Sequence, residues 1–226
     1  MGVSRSRNVA RNVTVGVIAQ LITLVLSVVS RRIFVTFLSA EYLGINGLYS
    51  NILSVLALAE LGVGSVTQFF LYKPVSENNH SAILHLMRYF RKLYTIIAAV
   101  ILTLGLCLIP FLNVVVNSEL AQNELILYYV LFLLNSVISY FSADKIALLA
   151  ANQDNRLQKY VAMFSAIVFQ ILYIIVLMLW HNYTIYVLVM ILCTLSNVLV
   201  INALCYKRYP YLKNKVAPGE ASVDKK

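Results

Sequence analysis

The chain has 226 residues, 61% of them hydrophobic and 12% charged, with a formal net charge of +9 and a mean hydropathy of +0.81. Soluble domains run roughly 45–50% apolar and about 25% charged, so this composition excludes an ordinary soluble globular fold and marks an integral membrane protein. The basic excess is dispersed among short segments between apolar runs, a membrane-topology pattern and not that of a nucleic-acid binder.

A hydrocarbon core about 30 Å thick needs about 20 apolar residues per helix. Taken in chain order, such stretches lie at 13–38, 45–71, 94–112, 125–149, 161–180 and 184–205. They are too long, and too continuous in Leu, Ile and Val, for the alternating strands of an outer-membrane barrel. The expected fold is therefore an all-α polytopic bundle of six transmembrane helices occupying residues 1–205. The first run lacks a small-residue cleavage site and leads into Arg31 and Arg32, so it reads as a retained helix and not a signal peptide.

In the first span Gln20, Thr23, Ser27 and Arg31 recur at intervals of three and four and share one face, which Gly16 extends. Arg32 lies about 100° away, over Leu21, Val25 and Val28. The second span carries a small and polar stripe of Asn46, Ser50, Ser54, Ala57, Gly64 and Gln68 bordered by Glu60. On a straight helix Glu60 falls near or a little below the midplane. Residues 73–93 read as a long loop bearing a short amphipathic helix, with Ile83, Leu84, Leu86, Met87 and Phe90 set among His85, Arg88, Arg91 and Lys92.

In the fourth span Asn135, Ser139 and Ser142 share a face, and Asp144 and Lys145 follow at its end. The fifth and sixth add Ser165, Gln170, Thr194, Asn197 and Asn202. Residues 206–226 are polar and basic with Pro210, Pro218 and Gly219, the signature of a mobile tail. With the N-terminus inside, every Lys and Arg except Arg31 and Arg32 falls on the cytoplasmic side, while Glu41, Glu119 and Glu124 fall outside. The positive-inside rule then gives N-in and C-in.

An ionisable side chain in hydrocarbon costs at least roughly 2.5–3.5 kcal/mol, so polar stripes that end in charges predict a shared hydrated cavity. Its candidate residues are Arg31, Glu60, Arg32, Asp144, Lys145, Gln20, Ser27 and Asn135. Close packing by small residues, ion pairing and snorkelling are the structural alternatives. Cys107, Cys193 and Cys205 sit in or at the ends of spans without metal-ligand spacing, and His80, His85 and His181 form no zinc motif. No metal, no cofactor and no enzymatic activity are expected. Met1-Gly2 with Ser6 matches a myristoylation pattern that would add little to six helices.

At these residues a family resemblance emerges. Arg31-Arg32, Glu41-Tyr42-Leu43-Gly44-Ile45-Asn46-Gly47-Leu48-Tyr49, Glu60-Leu61-Gly62-Val63-Gly64, Leu71-Tyr72-Lys73-Pro74 and Ala150-Ala151-Asn152-Gln153-Asp154 resemble the amino-terminal half of the Wzx-type polysaccharide repeat-unit flippases. These belong to the multidrug/oligosaccharidyl-lipid/polysaccharide exporter superfamily. The resemblance implies a bacterial cytoplasmic-membrane protein that turns undecaprenyl-pyrophosphate-linked oligosaccharide units to the outer leaflet. It further implies two lobes around a central cavity, with Arg31 and Arg32 meeting pyrophosphate or acidic sugars and Glu60 balancing that charge. This chain would then be one lobe, either a truncated member or one that pairs as a homodimer. Its partners would be the lipid-linked oligosaccharide, membrane lipids and a coupling H+ or Na+. A multidrug exporter lobe and an inactive remnant or assembly subunit are the competing readings. A membrane glycosyltransferase or polymerase would need a larger outer loop than any here.

Overall fold

The computed structural model describes residues 2–60, 62–112 and 120–213. Among them the chain is helical throughout, without strands. In order, α1 spans Gly2–Leu38, α2 Ala40–Leu56, α3 Val63–Ser76, α4 His80–Cys107, α5 Gln122–Ser139, α6 Ala143–Ala151, α7 Asn155–Trp180 and α8 Tyr183–Arg208. Short 3-10 turns occupy Ala57–Glu60, Ile109–Phe111, Tyr140–Ser142 and Pro210–Lys213. Five stretches are long and apolar enough to cross a membrane: Gly16–Leu38, His80–Phe111, Gln122–Ala151, Gln158–Trp180 and Tyr183–Arg208.

The apolar surface is divided as a bilayer requires, with one face of each helix packed and the other left to lipid. In α4 the buried residues are Ile83, Met87, Phe90, Tyr94, Ala98, Ile101 and Gly105, a 3-and-4 stripe running nearly its full length. In α8, Leu188, Leu192, Leu195 and Leu199 form the opposite kind of stripe, exposed along one side. In α1, Ala19, Ser30, Phe34 and Leu38 are buried, while Leu21, Val25 and Val28 face outward. The core is unusually aromatic: Tyr49 and Tyr129 are fully buried, with ring centroids 5.4 Å apart. Each hydroxyl donates to a main-chain carbonyl, Tyr49 to Leu125 at 2.9 Å and Tyr129 to Gly105 at 3.0 Å. That pairing is what lets a tyrosine replace phenylalanine in an apolar core.

Three expectations from sequence change. The run 45–71 is not one straight helix. It breaks at Ala57–Glu60, and Gly62 at φ +93° starts α3. A left-handed φ carries a steric penalty for any residue with a Cβ, so Gly62 is what permits the break. The measurement of Glu60 along a straight helix therefore does not hold. Next, the 83–92 segment is not a separate amphipathic helix. Only Glu77–Asn79 separates α3 from α4, and the segment forms the first turns of α4, its apolar side already facing protein. Lastly, the start of the 206–226 tail is packed: Tyr209, Tyr211 and Leu212 lie against Leu71, Ile83, Met87, Leu148, Ala151 and Cys205. Residues 214–226 and Glu119 lie outside the described residues.

That packed segment is pinned by charge. Arg208 Nε and the Tyr209 hydroxyl each donate to Asp154 Oδ2 at 3.0 Å, and His80 stacks on Tyr211 at 4.2 Å. Partial burial works against the ionised Asp154 carboxyl, but the bonds from Arg208 and Tyr209 outweigh it and hold its pKa below the usual range.

Three outcomes follow from this architecture. Gly62→Ala should destabilise the protein by about 1–2 kcal/mol. Gly64→Ala should be neutral or stabilising by up to about 1 kcal/mol, since its new methyl meets only the Tyr94 hydroxyl at 3.8 Å. Unfolding in mixed micelles reads both. The Asp154 contact should be intact at neutral pH and weaken only as pH falls below about 3.9, the unfolded value, because a depressed carboxylate pKa stabilises the fold above that point. A carboxyl NMR titration should show the Asp154 transition moving up in Arg208→Ala.

Candidate functional site

The helix ends sort the charges. The end formed by the last turns of α3, α6 and α8 and the first turns of α4 carries Lys73, Arg88, Arg91, Lys92, Lys207 and Arg208. The opposite end, where Phe34 of α1 meets Tyr183 and Tyr186 of α8, carries Arg31, Arg32, Glu41 and Glu124.

At that second end a cavity of 290 Å³ opens among α1, α2, α7 and α8. Ser27, Ser30, Arg31 and Phe34 come from α1, Asn46 from α2, Gln170 from α7 and Tyr186 from α8. Arg31 stands seven residues before the end of α1, about 10 Å along its axis, and is exposed at the cavity. Around its guanidinium the lining supplies hydroxyls and side-chain amides. Asn46 stands close to the Tyr186 side chain across the cavity, and Tyr186 in turn packs on Phe34 at 5.1 Å and Tyr173 at 5.2 Å. Such a lining offers one fixed cation, several neutral donors and two aromatic faces. It suits an anionic group carried on a polyhydroxylated body better than a bare cation.

The other candidates distribute differently. Ser27 lines the cavity beside Arg31, whereas Gln20 is exposed two turns away on α1. Arg32 is exposed on the same side as Leu21, Val25 and Val28, where a long side chain reaches toward headgroups by snorkelling. Asn135 sits within the bundle on α5, its Oδ1 buried without a hydrogen-bond partner among the described residues.

Asp144 and Lys145 belong to a separate centre. Both are 3% exposed, and Lys145 Nζ lies 2.7 Å and 3.0 Å from the two Asp144 carboxylate oxygens, with the Tyr206 ring 5.9 Å away. Asp144 also faces a small cavity lined by Arg91, Tyr94, Thr95 and Tyr140. The Tyr140 hydroxyl lies near the Glu60 carboxylate, and the Tyr94 hydroxyl lies 3.5 Å from that of Thr67. The break between α2 and α3 thus lies near the 3-10 turn between α5 and α6. The shared cavity expected from the polar stripes resolves into two places, an open one around Arg31 and a closed network around Glu60, Tyr140 and Asp144.

Sequence reading missed Ser30, Phe34 and Tyr186 at the cavity. Ser30 was within reach, since it follows Ser27 by three and precedes Arg31. Phe34 and Tyr186 read as ordinary apolar residues until α1 and α8 are brought together.

Taken together, the fold and the two polar centres define a membrane-spanning helical bundle with a cationic cavity at one end. Comparison with family models, with curated proteins and with solved structures finds no match.

Removing one member of the Asp144–Lys145 pair should be costly. Lys145→Met leaves a buried carboxylate alone and should lower stability by about 3–5 kcal/mol. The double variant Asp144→Asn with Lys145→Met should recover most of that loss, as read by denaturant unfolding in mixed micelles.

Proposed function

We propose that this chain is one lobe of a transporter that turns a lipid-linked, pyrophosphate-bearing oligosaccharide across the bacterial cytoplasmic membrane. The observation that carries the reading is the Arg31 cavity: a fixed guanidinium among Ser27, Ser30, Asn46 and Gln170, at the end of an apolar bundle. The Wzx-type resemblance quoted above supports it independently of that geometry.

In this reading α2 and α3 together form a sixth, interrupted crossing, and the end carrying Lys73 and Arg208 faces the cytoplasm under the positive-inside rule. Broken helices at membrane depth persist only where protein or a cavity satisfies the freed main chain. The main-chain bonds at the break, Ala57 onto Leu53 and Val55 and Val66 onto Gly62, fit that requirement. The work asked of the protein is electrostatic. A cationic, hydroxyl-rich cavity lowers the cost of holding a pyrophosphate in low dielectric while its lipid tail stays in the bilayer. A second lobe, from the same or another chain, completes the enclosure, and rocking between the lobes changes which leaflet the cavity faces.

Aromatic faces at Phe34 and Tyr186 favour one rival, an exporter of organic cations, although Arg31 repels such cargo. Vesicles containing the protein and an undecaprenyl-pyrophosphate-linked oligosaccharide separate the two. Sugar exposed to an external glycosidase should appear with the wild type and fall at least about tenfold in Arg31→Ala, a loss of about 1.4 kcal/mol or more, with Arg32→Ala far less affected. Transport of lipophilic cations that survives in Arg31→Ala, with no sugar exposure in the wild type, would establish the rival.

A further inference from the structure

The basic end of the bundle holds a second polar concavity, remote from Arg31. A groove of 490 Å³ runs between the last turns of α3 and α6, with Tyr72, Lys73 and Ser76 on one wall and Asn152 and Gln153 on the other. Several of these groups are already engaged: Ser76 Oγ donates to the Lys73 carbonyl at 2.8 Å, Asn152 Nδ2 to the Leu148 carbonyl at 2.9 Å, and Gln68 Nε2 to the Tyr72 hydroxyl at 2.6 Å. Among the described residues the Lys73 ammonium and the Gln153 amide have no side-chain hydrogen-bond or ion-pair partner.

The electrostatics of the groove favour an anion. Two helix C-termini would normally favour a cation, but most of their last carbonyls already accept main-chain hydrogen bonds. The amides of Glu77 and Asn79 bond the carbonyls of Lys73 and Pro74, and those of Gln153 and Asp154 bond Ala150 and Leu149. The neighbouring carboxylate, Asp154, is drawn off by Arg208 and Tyr209. Glu77 lies beyond Ser76 and does not line the groove. Lys73 is left to set the local field.

The surface of α3 beyond the groove, outside its lining, indicates what kind of anion. Val66, Phe69, Lys73 and Ser76 follow one another at helical spacing along one face of α3, and Val66 and Phe69 are 48% and 70% exposed. Within two turns that face passes from bare hydrocarbon surface to a cation at the rim. A free phosphate gains nothing from Phe69, whereas a phosphate attached to an acyl chain uses both parts.

We propose that this groove binds a single anionic phospholipid, its phosphate on the Lys73 ammonium and the Gln153 amide and one chain along Phe69 and Val66. The site does not depend on the Arg31 cavity or its cargo. A phosphatidylglycerol carrying a photoreactive chain, in phosphatidylcholine bilayers containing the full chain, tests it by mapping the cross-linked peptide. The wild type should label the Val66–Ser76 region, and unlabelled phosphatidylglycerol should compete where phosphatidylcholine does not. Lys73→Gln should reduce that labelling about fivefold, from a contribution of about 1 kcal/mol per lysine at a membrane surface. Lys92→Gln, an exposed cation at the same end, and Arg31→Ala should leave it unchanged. Equal labelling by a phosphatidylcholine probe, no effect of Lys73→Gln, or an equal loss in Lys92→Gln would overturn the site. Displacement by soluble glycerol phosphate would make it a free-anion site and overturn the lipid assignment.

Discussion

In hydrocarbon a main-chain amide or carbonyl without a partner costs several kcal/mol, and the rest of this structure depends on that constraint. It makes every described element a helix, and it limits where a helix can stop. Inside the apolar sequence the described helices are interrupted at Ala57–Glu60 and at Tyr140–Ser142. Neither interruption opens into lipid unaided. The Ala57 amide turns back onto the carbonyls of Leu53 and Val55, Val66 bonds Gly62, the Ala143 amide bonds Tyr140, and the Tyr140 hydroxyl lies near the Glu60 carboxylate. The costs of the two irregular segments are met largely by main-chain bonds within their own turns.

Charge follows the same economy. Asp144 and Lys145 are adjacent in sequence and pair within one turn, so that neither enters the bundle alone. Arg32 is exposed on the lipid-facing side of α1 with Val28 and Val25. Arg31, one residue earlier and about 100° around the helix, turns into the α1–α2–α7–α8 cavity instead. At the opposite end, Asp154, Arg208 and Tyr209 tie the close of α8 to the start of α7, which leaves Lys73 as the cation of the neighbouring groove. Two polar surfaces of different character thus occupy the two ends of one apolar bundle. One carries an arginine among hydroxyls, amides and aromatic rings, the other a lysine above exposed phenylalanine.

Much of the helical layout was legible in the primary sequence, because apolar length and 3-and-4 spacing act within one helix. The phase difference between Arg31 and Arg32 is of this kind. The break at Gly62 was less legible. Ala57, Leu58 and Leu61 continue the hydrophobic run without a proline, and the only local signal was a glycine that also tolerates a helix. The short amphipathic helix expected at 83–92 was a misreading of the same sort: its apolar side faces protein, a choice between lipid surface and bundle that spacing alone does not make.

The sequence by itself determined that this is a membrane-embedded helical protein, which segments carry charge, and that most of its cations lie between the apolar runs. Those properties depend on composition and on neighbours a few residues apart. Only the tertiary structure decided which polar groups share a cavity. Arg31 with Gln170 and Tyr186, Glu60 with Tyr140, and Lys73 with Gln153 are separated by 80 to 155 positions or meet across different helices, and no local periodicity records such partners. Their meeting depends on which faces the helices bury against one another, and that is settled by the packing of the bundle as a whole.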